Sequence, residues 1–252
     1  MQNEAMSGRA EKRRRGELLL VIPAYNEREN LPDVISDILL SGEGIDYIVV
    51  SDGSTDGTAE LCRERGWNYI ELPVNLGLAG CFQTGMKYAL REGYSYAAQF
   101  DGDGQHRAED VRLLLEKMKE GEYDIVLGSR FLQKKRGGSM RELGSRLISL
   151  AIFLSTGKKL TDPTCGLRLY RKTVIEDFAL RLNYGPEPDT ISYLIRRGCR
   201  IAEVAVEVRE RRAGESYLRP LNAAKYMARM LISILLIQYF RGGREDGRTG
   251  KG

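Results

Sequence analysis

Two carboxylates stand close together in the segment 101–106, which reads DGDGQH. Asp101 and Asp103 are separated by one glycine, and Gln105 adds a third side chain that carries oxygen. Carboxylate and amide oxygens suit Mg²⁺ or Mn²⁺, and Mg²⁺ in proteins commonly carries a phosphate group as well. A calcium loop of the EF-hand type would end in a glutamate, where this chain has Arg112. The spacing therefore predicts a magnesium or manganese site that holds a diphosphate, with Asp101, Asp103 and Gln105 as ligands.

His106, the only histidine of the chain, closes this segment. One interpretation makes it a metal ligand or a catalytic acid. Packing or helix capping beside the loop is the more common use of such a residue, and it is the role we expect. An acidic surface turn is the alternative to the whole site, but it would leave two uncompensated carboxylates at the end of a buried strand.

Two other polar segments follow apolar runs. The first, 23–27, reads PAYNE, and the second, 51–58, reads SDGSTDGT. Neither contains the GxGxxG pattern, which argues against a dinucleotide cofactor. The ring of Tyr25 and the carboxylates of Glu27 and Asp52 are suited to a nucleoside, whereas a strand exit with a helix cap explains the first segment equally well.

Short apolar runs alternate along the chain with segments of helical periodicity. The predicted strands are Leu18–Ile22, Tyr47–Val50, Tyr69–Leu72, Ala97–Phe100 and Ile125–Leu127. The predicted helices are 29–41, 57–66, 78–92 and 108–120, and the second half adds a helix at 139–156, a strand at Ile201–Val208 and an amphipathic helix at 219–241. The alternation indicates an α/β fold with a mostly parallel sheet flanked by helices, whose ligands bind beyond the carboxyl ends of the strands. The loops at 23–28, 51–56, 73–77, 101–106 and 128–136 are therefore expected to form the site.

The composition is that of a soluble globular protein, with 42% hydrophobic and 29% charged residues in a chain of 252. The net charge is +4, and its basic excess lies at the two ends, 1–16 and 242–252. We expect these ends to be flexible tails around a single domain at 17–241. A nearly neutral body does not favour nucleic acid as a partner. The four cysteines form no CxxC pair, so free thiols are expected rather than a zinc site or a disulfide framework.

Two apolar stretches, Leu147–Gly157 and Met230–Phe240, are too short to cross a bilayer, for which about 20 apolar residues are needed. The N-terminus shows no signal-peptide pattern. Each stretch adjoins basic residues, as do helices that lie in a membrane interface and attract anionic lipid. Core or dimer-forming helices are an equally good interpretation. We expect a cytoplasmic protein, peripheral at the inner face of the cell membrane.

These motifs, in this order, resemble the glycosyltransferases of family 2, which have the GT-A fold. The resemblance covers residues 17–241 and includes the Asn75-Leu76-Gly77 turn and Gly128-Ser129-Arg130. The later motifs DPTCGLRLY (162–170), YGPEPD (184–189) and RRAGES (211–216) are similar to those of polyprenyl-phosphate sugar synthases, including dolichyl-phosphate mannose synthase and bacterial undecaprenyl-phosphate sugar synthases.

The resemblance implies a metal-dependent, inverting transfer of a sugar from a nucleotide sugar to a polyprenyl phosphate, for cell-wall or surface polysaccharide. UDP-N-acetylglucosamine or UDP-glucose is the favoured donor, and GDP-mannose stays open. By position, the nucleotide sugar would be bound by Pro23, Tyr25, Glu27, Asp52, Gly77 and Asp101. The acceptor phosphate would be bound by Arg130, Arg141, Ser145 and Arg211, and catalysis would fall to Asp103 together with the three arginines. The membrane surface, and a small membrane-protein partner or a second copy, are the further partners it suggests.

A basic segment at 130–146, opposed only by Glu142, agrees with a phosphate acceptor. A phosphate oxygen is already an anion, so it needs no general base, whereas a sugar hydroxyl does. It needs positive charge instead, and arginine binds phosphate oxygens in pairs. A solvated basic loop, or contact with lipid headgroups, explains Lys134–Arg136 better than the site does.

Two other functions stay open from the sequence. A family 2 transferase that acts on a sugar hydroxyl would need a carboxylate base, for which Glu187, Asp189 and Glu215 are candidates. A catalytically silent subunit that binds a nucleotide sugar is the other, and the intact predicted metal site argues against it.

Overall fold

The computed structural model describes residues 16–41, 44–133, 140–182, 184–209 and 220–237. For residues 140–141 and 220–223 the backbone alone is described. The predicted tails at 1–16 and 242–252 lie outside the described residues except for Gly16, and so do Lys134–Arg136, Arg211 and Glu215.

Seven strands and eight α-helices alternate through the described part of the chain. The strands are β1 (Leu18–Ala24), β2 (Ile45–Asp52), β3 (Tyr69–Leu72), β4 (Tyr96–Gln99), β5 (Ile125–Ser129), β6 (Arg168–Arg171) and β7 (Ile201–Ala205). The helices are α1 (Leu31–Leu40), α2 (Thr58–Glu64), α3 (Gly77–Glu92), α4 (Ala108–Glu120), α5 (Met140–Thr156), α6 (Lys172–Leu180), α7 (Pro188–Arg196) and α8 (Pro220–Ile232). A π-helical segment, Ser233–Ile237, continues α8.

The strands form one sheet in the order β3-β2-β1-β4-β6-β5-β7. Four of the neighbouring pairs are parallel, and only β6 runs antiparallel, to β4 and to β5. The prediction of a mostly parallel sheet flanked by helices is confirmed. Because β1, β2, β4 and β5 share one direction, the loops that follow them meet at one edge of the sheet.

The strand β6 and the helices α6 and α7 were missing from the elements that the sequence predicted. The segment Arg168–Arg171 reads RLYR, in which charged residues flank only two apolar ones, too few to be recognised as a strand. It forms a strand because Leu169 and Tyr170 are fully buried between β4 and β5. Tertiary pairing, rather than local periodicity, decides such a short strand.

Other boundaries differ by a few residues. Strand β2 extends to Asp52, so this carboxylate belongs to the strand end rather than to the loop. Strand β7 ends at Ala205, three residues before the predicted end at Val208. The predicted helix at 219–241 is α-helical from Pro220 to Ile232 and π-helical from Ser233 to Ile237. All four cysteines are free, as predicted.

Strand β1 supplies the centre of the core on both faces of the sheet. Leu18, Leu20 and Ile22 pack on one side, and Leu19 and Val21 pack on the other. A strand buried on both faces is the reason that β1 reads as an unbroken apolar run.

Helix α3 lies unusually close to β1. A Cβ atom on Gly85 would come within 2.2 Å of the Val21 side chain, so this approach requires glycine. The close packing sets the position of α3, whose first residue, Gly77, reaches the carboxyl edge of the sheet near Asp52.

Candidate functional site

The loops after β1 and β2 are tied together by short polar contacts. The backbone N–H of Thr55 donates to Asn26 Oδ1 at 2.8 Å, and that of Asn26 donates to Ser54 Oγ at 3.1 Å. Asn26 is the only described non-glycine residue with a positive φ, 57°, a conformation that asparagine tolerates. A third contact joins the N–H of Glu27 to Thr58 Oγ1 at 3.1 Å. The two predicted nucleoside segments therefore form one surface.

The predicted nucleoside residues of the first loop differ in their surroundings. Pro23 is still part of β1, whereas the Tyr25 side chain is 47% exposed beyond the strand end. The carboxylate of Glu27 accepts a 2.6 Å hydrogen bond from Asn30 Nδ2. Tyr25 thus presents an aromatic surface of the kind on which a base can stack, while Asn30 orients Glu27.

Asp52, at the end of β2, is buried and holds the first turn of α3. Its Oδ1 accepts the N–H of Leu76 at 2.7 Å, and its Oδ2 accepts the N–H of Gly77 at 2.8 Å. A carboxylate satisfies the unpaired N–H groups of a helix N-terminus and opposes the positive end of the helix dipole. Asp52 therefore builds the 75–77 turn, and its contact with a nucleoside stays a prediction.

The DGDGQH loop places its first carboxylate between two donors. Gln99 Nε2 donates to Asp101 Oδ1 at 3.0 Å, and His106 Nε2 lies 3.4 Å from Asp101 Oδ2. Burial raises the pKa of Asp101, but the hydrogen bonds and charge of His106 and the bond from Gln99 lower it more, so this pKa lies below its usual range. His106 itself is buried, with its ring 6.2 Å from that of Phe100. The expected packing role of His106 agrees with this placement.

The two carboxylates of the loop fit a hard cation. Asp103 is buried, and its Oδ1 accepts the N–H of Gln105 at 3.1 Å, which fixes the side chain against its own turn. A carboxylate has two oxygens with about four lone-pair sites, so it can bind a cation as well as accept such hydrogen bonds. The Gln105 amide donates to Arg209 O at 3.4 Å, toward the chain that follows β7.

Within the described ranges, no group of three or more His, Cys, Asp or Glu side chains could hold a metal ion. The predicted donor set is smaller, two carboxylates and one amide. Mg²⁺ is commonly bound by one or two carboxylates completed by phosphate oxygens and water. The residues present therefore fit a divalent cation that arrives with a diphosphate.

The segment 162–167, which precedes β6, lies directly on the DGDGQH loop. A Cβ atom on Gly166 would come within 2.2 Å of Asp101 Oδ2 and 3.2 Å of His106 Nε2. Only a residue without a side chain leaves the first carboxylate in place. The sequence motif DPTCGLR thus has a steric reason for its glycine.

Arg130 follows β5 and pairs with the other end of the same segment. Its Nε lies 2.6 Å from Asp162 Oδ2, and its terminal nitrogen NH2 lies 2.9 Å from Asp162 Oδ1 and 2.9 Å from Thr164 Oγ1. Ser145, on α5, is 2% exposed and donates to Asp162 Oδ1 at 3.4 Å. The structure therefore brings together Arg130 and Ser145, two residues predicted to bind the acceptor phosphate.

The Arg130–Asp162 pair is charged on both sides. Burial raises the pKa of Asp162, but the hydrogen bonds and charge of Arg130 lower it more, so it lies below its usual range. Burial lowers the pKa of Arg130, and Asp162 reverses that and raises it. Arg130 is thus a permanent cation whose fork is oriented by a buried carboxylate.

Arg141 and Arg211 complete the predicted acceptor set. Arg141 lies in the first turn of α5, one turn before Ser145, and its side chain is not described. Arg211 lies outside the described residues.

Arg168, the first residue of β6, is a structural residue whose role the sequence motifs did not predict. It is 3% exposed and donates to three backbone carbonyls, those of Cys165, Pro163 and Pro186. It therefore fastens the 162–167 segment to the loop before α7. The sequence offered one signal for this role, an arginine directly before the apolar pair Leu169-Tyr170. An arginine at such a position is buried only when protein groups accept its hydrogen bonds.

The candidate general bases Glu187 and Asp189 both contact the C-terminal helix. Glu187 Oε1 lies 2.8 Å from the NH2 nitrogen of Arg229, and Asp189 Oδ2 accepts a 2.6 Å hydrogen bond from Ser233. Burial raises the pKa of Glu187 above its usual range, although Arg229 offsets part of that effect.

Comparisons with known proteins agree with this architecture. Residues 19–178 match the model of the family described as Glycosyl transferase family 2. Polyprenol monophosphomannose synthase of Mycolicibacterium smegmatis is 31% identical over 225 residues, which cover 83% of this chain and 83% of that protein. Undecaprenyl-phosphate mannosyltransferase of Micrococcus luteus is 32% identical over 214 residues, covering 79% and 86%.

A solved structure supports the fold. Glucosyl-3-phosphoglycerate synthase from Mycobacterium tuberculosis, in complex with Mn²⁺, UDP and glucosyl-3-phosphoglycerate, superposes with a TM-score of 0.67 at 24% identity. The match covers 89% of this chain and 80% of that one. The likeness confirms the GT-A fold. With most of its length matched by the family model and relatives above 30% identity, the chain belongs to glycosyl transferase family 2 and is a glycosyltransferase.

Proposed function

We propose that this enzyme transfers a sugar from a nucleotide sugar to the phosphate group of a polyprenyl phosphate at a membrane surface. The observation that carries the proposal is the position of the cation Arg130. Asp162 orients this arginine, and Asp162 belongs to the 162–167 segment, whose Gly166 packs against Asp101. A cation next to the predicted diphosphate site suits an acceptor that is itself an anion. The two relatives compared above are named for polyprenol and undecaprenyl phosphate.

The reaction is a single displacement. A phosphate oxygen of the acceptor attacks the anomeric carbon and forms a new carbon–oxygen bond. The bond from that carbon to the nucleoside diphosphate breaks, and its electron pair leaves with the diphosphate. Attack from the face opposite the leaving group inverts the anomeric centre.

The residues of the chain have separate tasks in this step. Tyr25, Glu27 and Asp52 face the nucleoside, and Arg130 and Arg141 with Arg211 hold the acceptor phosphate against the charge of the donor. Asp101 and Asp103, with Gln105, would hold Mg²⁺ or Mn²⁺, which when bound neutralises the charge that grows on the departing diphosphate. The structural neighbour described above contains Mn²⁺ and UDP, which supports this assignment.

An exposed apolar face on α5 supports a peripheral position on the membrane. Leu143, Leu147, Leu150 and Leu154 lie along one side of the helix and are all exposed. Ile232, Leu235 and Leu236 are exposed on the neighbouring α8 and π-helical segment. Among the described side chains of α5 and the residues that follow it, Arg146, Lys158 and Lys159 are exposed cations. Apolar helices flanked by cations bind anionic lipid surfaces.

None of the helices that the structure describes is long and apolar enough to span a bilayer. The exposed leucines, rather than a crossing helix, are therefore the described feature through which we propose attachment. The cytoplasmic face is the side on which nucleotide sugars would be available.

A transfer assay tests the proposal. Purified protein is mixed with undecaprenyl phosphate in detergent, Mg²⁺ or Mn²⁺, and labelled UDP-N-acetylglucosamine, UDP-glucose or GDP-mannose in turn. We expect one donor to label the organic phase with a product that mild acid hydrolyses. Binding of one nucleotide without transfer to the lipid would contradict the proposal and favour a hydroxyl acceptor. The described base candidates for such an acceptor are Glu187, whose pKa is raised, and Asp189.

A further inference from the structure

Two carboxylates hold Arg130, one by direct contact and the other through the backbone of the first. Neither was among the residues predicted from the sequence to form the site. The first is Asp162, whose side chain is fully buried. It meets the guanidinium with both oxygens, and its Oδ2 also accepts the backbone N–H of Arg130 at 3.2 Å. A two-pronged contact fixes both the position and the plane of an arginine.

The second carboxylate belongs to Glu203 on β7. Its Oε1 accepts the N–H of Thr161 at 2.9 Å and that of Asp162 at 2.8 Å, and its Oε2 lies 2.7 Å from the Thr161 nitrogen. Strand β7 pairs directly with β5, and Glu203 lies opposite Leu127, three residues before Arg130. It therefore holds the backbone from which the Asp162 side chain projects.

The hydroxyl groups close the same network. Ser129 Oγ lies 2.6 Å from Thr161 Oγ1, and Thr164 Oγ1 donates to Asp162 Oδ1 at 2.8 Å. Ser129 immediately precedes Arg130, so the arginine is tied to the 161–164 turn through its backbone neighbour as well as its side chain. Networks of this kind leave a side chain few alternative orientations.

The Asp162 contacts engage only one edge of the guanidinium. They occupy Nε and NH2, while the Arg130 side chain stays 24% exposed. NH1 takes no part in these contacts, and it is therefore the nitrogen that the network leaves to meet an incoming oxyanion. Without Asp162 and Glu203, a long arginine side chain would sample several rotamers and lose this orientation.

We propose that Glu203 and Asp162 are positioning residues for Arg130: Glu203 holds the 161–162 backbone, Asp162 holds the guanidinium, and together they set the site of the acceptor phosphate. The proposal rests on the proposed function, since it assigns the phosphate contact to Arg130. It predicts that a substitution at Glu203, whose side chain bonds to the backbone of Thr161 and Asp162, weakens the acceptor step selectively.

The kinetic test uses Glu203→Gln, which keeps the shape of the side chain and removes its charge. We expect kcat/KM for undecaprenyl phosphate to fall by roughly tenfold, the scale of removing a charged acceptor from a half-buried network. KM for the nucleotide sugar should stay within about twofold, because the hydrogen bonds described for Glu203 are with the backbone of Thr161 and Asp162, in the segment that holds Arg130. The matched control is Glu122→Gln, an exposed carboxylate paired with Arg200 at 2.8 Å and remote from this network. Equal loss toward donor and acceptor would overturn the proposal.

A double-mutant cycle tests whether Glu203 acts through Arg130. In an Arg130→Lys background, which loses the two-pronged contact, Glu203→Gln should change kcat/KM by less than about twofold further. Two losses that multiply would show independent roles and would overturn the proposal.

A chemical measurement separates this proposal from the proposed function. Phenylglyoxal modifies accessible arginine, and mass spectrometry of peptides reports the rate at Arg130 without any substrate. We expect faster modification in Glu203→Gln than in the wild type and in Glu122→Gln, with unchanged thermal unfolding in the control. Equal rates at Arg130 would overturn the positioning role whatever the acceptor is. A wild-type enzyme that transfers nothing to polyprenyl phosphate would contradict the proposed function alone.

Discussion

The carboxylate of Asp52 accepts the backbone N–H of Gly77 at 2.8 Å, and this bond joins the end of β2 to the start of α3. The same carboxylate accepts the N–H of Leu76 at 2.7 Å. Gly77 has a φ of 73°, which side-chain-bearing residues rarely adopt, so the turn requires both the glycine and its anionic partner. The edge of the predicted nucleoside site thus depends on a residue that is also predicted to contact the nucleoside.

Replacing Asp52 by alanine should therefore affect stability as well as donor binding. We expect Asp52→Ala to lower the free energy of unfolding by about 1–2 kcal/mol, the usual cost of losing a helix-capping side chain. Urea denaturation measures this directly. Glu116→Ala, an exposed position in the middle of α4, is the control and should leave the midpoint unchanged. An unchanged midpoint in Asp52→Ala would show that the cap contributes nothing.

Asp103→Asn should remove transfer while leaving the fold intact. We expect a fall in kcat of at least about a hundredfold, because a neutral amide holds a divalent cation poorly. Binding of Mn²⁺ in the presence of UDP or GDP, followed by electron paramagnetic resonance, should weaken in parallel. Glu109→Gln, on the exposed face of α4, serves as the control. Turnover near the wild-type rate in Asp103→Asn would refute the metal assignment.

Gly166→Ala should damage the site through a single methyl group. The added Cβ would lie 2.2 Å from Asp101 Oδ2, so the carboxylate must move away from its bonds with Gln99 and His106. We expect a fall in kcat/KM of at least roughly tenfold, as displacements of this size at an active site produce. At Gly185 the same change brings a Cβ to 3.4 Å from Ala79, an ordinary contact, so Gly185→Ala is the matched control. Equal activity of the two variants would contradict this prediction.

Leu147→Glu should weaken attachment to anionic membranes. Leu147 on α5 and Leu113 on α4 are both 44% exposed, but they lie on helices that cover opposite faces of the sheet. We expect Leu147→Glu to lower binding to phosphatidylglycerol vesicles by roughly tenfold in flotation assays, through lost apolar contact and added negative charge. Leu113→Glu should float like the wild type. Equal losses in both variants would place the membrane contact elsewhere.

The lowered pKa of Asp162 predicts how stability depends on pH. A carboxylate whose pKa is lowered by folding stabilises the protein above its unfolded pKa, which is about 3.9, and that contribution is lost as the pH falls through the folded pKa. We expect Asp162→Asn to be less stable than the wild type by about 3 kcal/mol at pH 7. The difference in unfolding free energy should narrow below about pH 4. A difference that does not change between pH 7 and pH 3 would contradict this account.

Much of the fold could be predicted from local patterns. The strands β1 to β5 and the helices between them follow apolar runs and helical periodicity, because each strand of a parallel sheet is buried on both faces. The same alternation predicted that the loops after these strands would meet at one edge. The pair Asp101 and Asp103 was identified from residue type and spacing alone.

The tertiary structure alone decided what surrounds those residues. Strand β6 forms because two buried side chains, Leu169 and Tyr170, pack between β4 and β5. No alternation of apolar and polar residues in this segment predicts it. Arg130 and Asp162 are 32 positions apart, and Glu203 is 41 positions from Asp162. Contacts over such separations depend on the order of strands in the sheet, which brings β7 beside β5 and the 161–167 segment between Arg130 and Asp101. The sequence determined which groups could do chemistry, and the packing of the sheet decided which partners hold them in place.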